Sequence, residues 1–310
     1  MRILITGSTG FIGSHIRELL KKRQNVTLFT TSRTWPHGKE YEVATPNGGH
    51  ILSRLDNTFQ AIGLFQKTGP IDIIVNCMGE PRTKVDPLDI NASITGNLVA
   101  LNNLLHNATE GCRLIHLSTV NVYGEEHKNF TERLCCCPTS LYAITKLAGE
   151  HLINTVYGQK LRSTILRLAT TIGIGSSHGA FPEILAKLHK PGPISLLGSR
   201  PGKFRQFIHI SDVERAISFC IDNFTQGCYN ISSDTSLNVE QFTDIMMKAL
   251  GIYKEKEFEG GPTHMGYKGC FAMNGPFKTK GFKYLYETSE DAVTQAVREC
   301  HEAELRRVDV

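Results

Sequence analysis

Residues 7–13 read Gly-Ser-Thr-Gly-Phe-Ile-Gly, and what flanks them decides most of what this chain can fold into. Before them stands the short apolar run Ile3-Leu4-Ile5. After them Ile12, Ile16, Leu19 and Leu20 recur at helical spacing. A GxxGxxG segment between a strand and a helix has a mechanical purpose. Gly7 permits the tight turn, Gly10 lets the backbone approach an anion, and Gly13 lets the helix pack close to the strand. Together with Thr9, Phe11 and Ile12, these glycines present the free N–H groups and positive dipole end of a helix start to a pyrophosphate. The segment therefore predicts a dinucleotide-binding turn.

The rest of the first half repeats the strand–helix rhythm. Residues 26–31 and 71–76 read as strands, 97–105 as a helix, 113–118 as a strand, 142–156 as a long helix and 163–168 as a further strand. Such alternation predicts an α/β fold, a Rossmann-type doubly wound parallel sheet covered on both faces. After about residue 170 glycine and proline become frequent and the rhythm changes. A helix opens at Asn238, carries Phe242, Ile245, Met246 and Leu250 on one stripe, and stops at Gly251. Residues 254–281 are the least periodic stretch. The expected organisation is a dinucleotide-binding domain over 1–168 and a smaller mixed substrate lobe over 169–310, with an interleaved boundary.

Charge and cysteine content narrow the classes. A net charge of +4 over 310 residues, with no basic block longer than Lys21-Lys22-Arg23, gives no footprint for nucleic acid. No apolar run approaches the ~20 residues of a membrane span, and the N-terminal apolar stretch is too short for a signal segment. A cytoplasmic protein with reduced thiols is the expectation. Cys135-Cys136-Cys137 reads as a loop and not as a metal site, since adjacent residues do not converge on one ion. Cys112, Cys220 and Cys228 sit among apolar residues and read as core.

The end of the second strand reports on the cofactor. An acid there would bind the ribose hydroxyls of NAD. This chain has Thr30-Thr31-Ser32-Arg33 instead, which suits a 2′-phosphate and favours NADP, with NAD left open. Asp56 is a candidate for the adenine amino group.

Tyr142 and Lys146 stand one helical turn apart on one face. A tyrosine ordinarily titrates near 10, too high for a base at neutral pH. A neighbouring ammonium and an oxidised nicotinamide both favour the phenolate, and moving it by about three units takes roughly 4 kcal/mol. The pair is expected to transfer a hydroxyl proton. Thr119, at the end of the fourth strand, would hold the substrate oxygen beside Tyr142.

With these residues in place, the chain resembles the extended short-chain dehydrogenases, the NAD-dependent epimerase/dehydratase family. The resemblance rests on the GxxGxxG loop, the Asn97 helix, Ser118-Thr119-Val120-Asn121-Val122-Tyr123-Gly124, Glu132 and Pro138 ahead of Tyr142, and FRQFIHISDV at 204–213. It implies a Thr119, Tyr142, Lys146 trio acting on a nucleotide-diphosphate sugar, with Asn97 near the cofactor. It also implies that Arg205 contacts the substrate phosphates, that Asn121 and Thr170 lie at substrate positions, and that the protein is a homodimer. Two departures stand out. Val120-Asn121 replaces the Asp-Glu pair that the dehydratase branch uses to eliminate water, and Thr170 replaces an asparagine. Hydride transfer at a ring carbon by a C4 ketoreductase or epimerase is therefore the leading expectation. A reductase of a non-sugar carbonyl and a non-catalytic dinucleotide sensor are the alternatives.

Overall fold

The structure, a computed structural model, describes residues 1–33, 45, 47–80, 87–125, 129–197, 203–260 and 271–308. Its elements in chain order are β1 (Arg2–Thr6), α1 (Phe11–Lys21), β2 (Thr27–Ser32), β3 (Gly49–Leu52), α2 (Thr58–Thr68), β4 (Ile73–Asn76), α3 (Pro87–Ile94), α4 (Ala100–Asn107), β5 (Arg113–Thr119), β6 (Asn129–Phe130), α5 (Leu141–His151), β7 (Arg162–Leu168) and β8 (Thr170–Ile172). Then follow α6 (Ala180–Leu188), β9 (Ile194–Leu197), β10 (Phe207–His209), α7 (Ile210–Asp222), β11 (Gly227–Ile231), α8 (Val239–Leu250), β12 (Lys256–Glu259), β13 (Phe271–Ala272), α9 (Gly275–Lys278) and α10 (Ser289–Val308).

Seven strands share one sheet in the order β11-β7-β5-β4-β1-β2-β3. The pairings from β3 to β5 are parallel, with Leu4 opposite both Phe29 and Ile74. A strand buried on both faces must be apolar throughout. Ile3, Leu4, Ile5, Ile74 and Val75 are accordingly fully buried. The strand order reverses between β1 and β4, which opens a crevice at their C-terminal ends where ligands of such sheets bind.

The chain divides into two compact units. The first comprises Met1–Val122, Pro138–Arg167 and Ala216–Tyr229. Its core joins Leu4, Phe29, Leu64, Leu104, Leu114 and Ile165. Cys112 and Cys220 are buried, and Cys228 packs half-buried against that core. The second unit comprises Tyr123–Cys137, Leu168–Arg215 and Asn230–Val310. Phe207 and Phe242 stack there with centroids 4.2 Å apart, among residues of α6, α8 and α10. The helix expected at Asn238 has a reciprocal capping box with Gln241 and ends on Gly251 in the left-handed conformation at φ 67°.

The sequence reading missed β3 and α2 and shifted several bounds. Strand β3 has only four residues, and α2 starts on a side-chain cap in which Asn57 accepts from Gln60 N–H. The helix read from residue 97 begins at Pro87 and carries a π-helical turn, Thr95–Val99, between α3 and α4. The long helix read over 142–156 is α5 followed by a second such turn, Leu152–Val156. No helix among the described residues is long and apolar enough to cross a membrane.

One buried ion pair fixes α5 against the sheet. Arg167 of β7 donates to Glu150 of α5 at 2.6 Å, with both side chains under a tenth exposed. Ser118 of β5 donates its hydroxyl to the same carboxylate. Removing one partner of such a pair strands a buried charge, at a cost of about 3–5 kcal/mol. Glu150→Ala should lower unfolding stability by that amount in urea melts, and Glu150→Leu combined with Arg167→Met should recover most of it. Equal stability of Glu150→Ala and wild type would show that the pair anchors nothing.

Candidate active site

The glycine loop is built as its spacing requires. Gly7 has φ +65°, and a Cβ there would stand 2.9 Å from the Cys77 carbonyl oxygen. A Cβ on Gly13 would stand 2.1 Å from Gly7 O, so only glycine allows α1 to start this close to β1. Gly10 N–H donates to Gly7 O at 3.1 Å, and the first helical bond runs from Ser14 N–H to Gly10 O. The amides of Phe11, Ile12 and Gly13 precede that bond and lie in the turn that holds anions.

A cleft of about 1210 Å³, open solvent included, lies beside this loop in the first unit. Gly7, Thr9 and Gly10 line it, as do Arg33 and Asp56. The sequence reading did not single out Ser53, Arg54 or the segment Cys77–Glu80, which complete the wall. Their signal was topological, since they follow β3 and β4 at the same sheet edge. Thr31 also lines the cleft, is 1% exposed, and its hydroxyl has no hydrogen-bond partner. A buried hydroxyl facing a cleft, together with the glycine cradle, fits a bound dinucleotide.

Behind Ser32 of the cleft wall stands an uncharged histidine. His50 of β3 bridges Thr30 Oγ1 at 2.8 Å and Ser32 Oγ at 3.0 Å. Burial, reinforced by the charge of Arg17, pushes it down to about 4, so it stays neutral and one ring nitrogen donates while the other accepts. Arg33 faces Glu80 at 3.8 Å. Arg54 pairs with Asp56 at 2.8 Å and holds the Asp56 carboxyl below its ordinary range. Asp56 is thus at the cleft, with its carboxylate already engaged.

Asn97 lies beside the cleft wall, with its Oδ1 close to Gly79. It sits in the π-helical turn and clamps the loop after β4. Its Oδ1 accepts from Glu80 N–H at 2.6 Å, and its Nδ2 donates to Glu80 O at 3.2 Å and Thr145 Oγ1 at 2.9 Å. Thr145 in turn donates to the Tyr142 carbonyl at 2.9 Å. The wall of the cleft and the start of α5 are therefore one hydrogen-bonded piece.

Thr119, Asn121, Tyr142 and Lys146 all belong to the first unit. Ser140 caps α5 by accepting from Ala143 N–H. Tyr142, Lys146 and Glu150 recur at i, i+4 and i+8, a single stripe of the helix. Glu150 accepts from Ser118 of β5, and the next residue, Thr119, is buried and accepts from Asn121 N–H at 3.2 Å. Lys146 is 5% exposed. Its Nζ lies near Gly79, and its charge is felt by Cys77 and His116.

The expected lowering of the Tyr142 phenol rests on Lys146 and an oxidised nicotinamide together. In the chain alone burial dominates instead, pushing the half-buried Tyr142 up to about 12 and Lys146 down to about 8, with Glu150 and then Cys77 opposing the change at Lys146. Tyr142 is thus held as a hydroxyl at neutral pH, the form that donates a proton.

Thr170 and Arg205 belong to the second unit. Thr170 N–H donates to Gln206 O at 3.2 Å, and Arg205 exchanges backbone bonds with Leu237. Arg205 lines a separate pocket of about 690 Å³, open solvent included, with Lys203, Glu183, Phe207, Val239 and Phe242. A lining of both charged and apolar side chains suits a ligand with a polar and an apolar part.

The depressed value of Lys146 carries a stability cost. Its folded value of about 8 lies below the ordinary 10.5. Between those values the unfolded chain holds a proton the native chain has released, so this contribution to stability rises with pH across that window. Below it the buried charge costs roughly 3 kcal/mol. Lys146→Met should be more stable than wild type at pH 7 and should lack the rise between pH 8 and 10.5 in denaturant melts. A variant with the wild-type pH profile would contradict the buried-ammonium account.

The family model for the NAD dependent epimerase/dehydratase family matches residues 3–232. An uncharacterized UDP-glucose epimerase of Bacillus subtilis is 28% identical over 234 residues, 70% of this chain and 72% of that protein. A GDP-6-deoxy-D-talose 4-dehydrogenase of Aggregatibacter actinomycetemcomitans is 25% identical over 260 residues, 79% of each chain. The crystal structure of UDP-glucuronic acid 4-epimerase from Bacillus cereus, in complex with UDP-glucuronic acid and NAD, has the same fold. It superimposes with a TM-score of 0.82 over 98% of this chain and 100% of that one at 23% identity. With the glycine cradle, the α5 stripe and a match over most of its length, the chain belongs to the NAD dependent epimerase/dehydratase family.

Proposed function

We propose that the protein is a nicotinamide-dependent oxidoreductase of a nucleotide-diphosphate sugar, acting at C4 without elimination of water. The observation that carries this reading is the α5 stripe, on which Tyr142 and the buried Lys146 stand one turn apart, with Lys146 Nζ close to Gly79 of the cleft wall. The nicotinamide, when bound, takes or returns the hydride. The chain's groups handle the rest. Thr119 and Tyr142 hold the substrate oxygen, Tyr142 gives or takes its proton, and buried Lys146 supplies positive charge beside it. The residue after Thr119 is buried, apolar Val120, which offers no carboxyl group for an elimination step.

The cavity around Arg205 suits the nucleoside diphosphate, the arginine meeting phosphate and the apolar walls meeting the base. Asn121 and Thr170 are substrate-side candidates on the same reading. The relative named as a 4-dehydrogenase of a GDP-sugar supports hydride chemistry at C4.

For the cofactor, the end of β2 supports NADP. Ser32 and Arg33 stand where NAD enzymes place an acid, and Arg54 adds a second guanidinium to the cleft. NAD remains the alternative, because each arginine already faces a carboxylate. A homodimer through the helices around α5 is supported by exposed Val99, Ile144 and Val156, which are 40%, 50% and 62% exposed. Sedimentation should give a dimer; a monomer at all concentrations would remove that part of the proposal.

Tyr142→Phe should lower turnover by several orders of magnitude while dinucleotide affinity stays near wild type, and full activity would sink the mechanism. Arg33→Asp should move preference from NADPH toward NADH, and an unchanged ratio would defeat the cofactor assignment. The functional test is a panel of 4-keto sugar nucleotides with NADPH and NADH. Dinucleotide oxidation marks a reductase, and sugar interconversion with no net oxidation marks an epimerase. Neither outcome with any sugar nucleotide would overturn the proposal.

A further inference from the structure

The second unit carries a group of side chains that the proposed chemistry leaves unused. His189, His301 and Glu304 place three potential ligand atoms within 4.8 Å of one another at the surface. His189 Nε2 stands 3.7 Å from Glu304 Oε2, and the two imidazole rings lie with centroids 6.5 Å apart and planes 27° from parallel. His301 and Glu304 are three residues apart on α10, so they share a face. His189 comes from a different element, the C-terminal cap of α6.

We propose that these three residues bind a divalent late first-row metal, with Zn²⁺ as the representative ion, and that the metal staples the end of α10 to the end of α6. Four observations support it. Two imidazole nitrogens and one carboxylate oxygen are the ligand set that suits zinc, copper and nickel, not calcium or magnesium. Zinc–ligand bonds of about 2.0–2.2 Å in a tetrahedron put ligand atoms roughly 3.3–3.6 Å apart, so the trio needs only a small closing motion. Surface side chains supply that motion by rotamer change. The position also favours a cation, since His189 N–H bonds Leu185 O and Lys187 O at the negative end of α6. Finally, Lys187, two residues before His189, is engaged elsewhere, its Nζ donating to Ser195 O at 2.9 Å.

Three protein ligands leave a fourth position for water, which makes this a moderate-affinity surface site. Its structural effect follows from its two elements. Helix α10 packs along α8 and β10, and a metal would add a second attachment near its C-terminal end. Binding requires both imidazoles unprotonated, so it weakens in acid.

The test is calorimetric titration of the full chain with Zn²⁺, followed by Co²⁺ spectroscopy. The proposal expects one Zn²⁺ per chain at this site, the visible bands of four-coordinate cobalt, and a higher Tm in the presence of metal. His189→Ala and His301→Ala should each weaken this binding by about tenfold to 100-fold or more, the scale seen when even supporting residues are lost. Glu304→Gln should weaken it as well, and His178→Ala should not. The exposed thiols Cys135 and Cys137 are the competing source of affinity. Zinc binding that survives both histidine variants and is lost on replacing those cysteines would overturn the proposal, as would octahedral cobalt spectra unchanged by His301→Ala.

Discussion

The structure of the first unit depends on where Glu150 is held. Its carboxylate receives Arg167 from β7 and Ser118 from β5, so one buried anion is bonded to two strands and to α5. A buried carboxylate is tolerable only when paired and hydrogen-bonded, and here it is both. The consequence reaches the chemistry. Tyr142 and Lys146 lie on the same helical stripe, so fixing Glu150 fixes the rotation of α5 and the direction in which both groups point. Glu150 also opposes the desolvation of Lys146.

A second constraint acts at the other side of the cleft. Gly7 and Gly13 meet backbone so closely that a methyl group on Gly7 would push against the segment after β4, and one on Gly13 would force α1 from the end of β1. The clamp through Asn97 joins the Cys77–Glu80 wall to α5 by way of Thr145. Its setting in a π-helical turn matters, because widening the helix by one residue rotates a side chain out of the regular pattern. Asn97 is thereby turned to reach Glu80 and Thr145 together. The site is framed by backbone fit on one side and by buried polar bonds on the other.

What the sequence made legible was local. The glycine turn, the Asn238 cap, the Gly251 stop and the continuous apolar strands each record their conformation within a few residues. The shape of the π-helical turn does not, because its residues are ordinary helix formers and the extra residue leaves no mark in the periodicity. Strand β3 is too short to alternate visibly. The pairing of Arg33 with Glu80 joins residues 47 positions apart and needs the sheet order to be seen. Asn97 is legible as a helix residue, but its bonds to Glu80 and Thr145 need the tertiary structure to be seen. The burial that pushes the Tyr142 phenol up in the chain alone is a tertiary property with no mark in the sequence.

That burial explains how the pair is tuned. A tyrosine pushed up and a lysine pushed down are both groups whose charged forms the protein disfavours. The chain alone therefore rests with a protonated phenol beside an ammonium that is costly to keep. Such a cost persists only where the surrounding structure is stable enough to carry it. Here that structure is the Glu150 anchor and the sheet it grips. An ordinary surface helix could display the same Tyr142 and Lys146 spacing at no cost, and it would hold both groups near their ordinary values. The expense of burying Lys146 is thus the physical mark that separates a functional YxxxK stripe from a chance one.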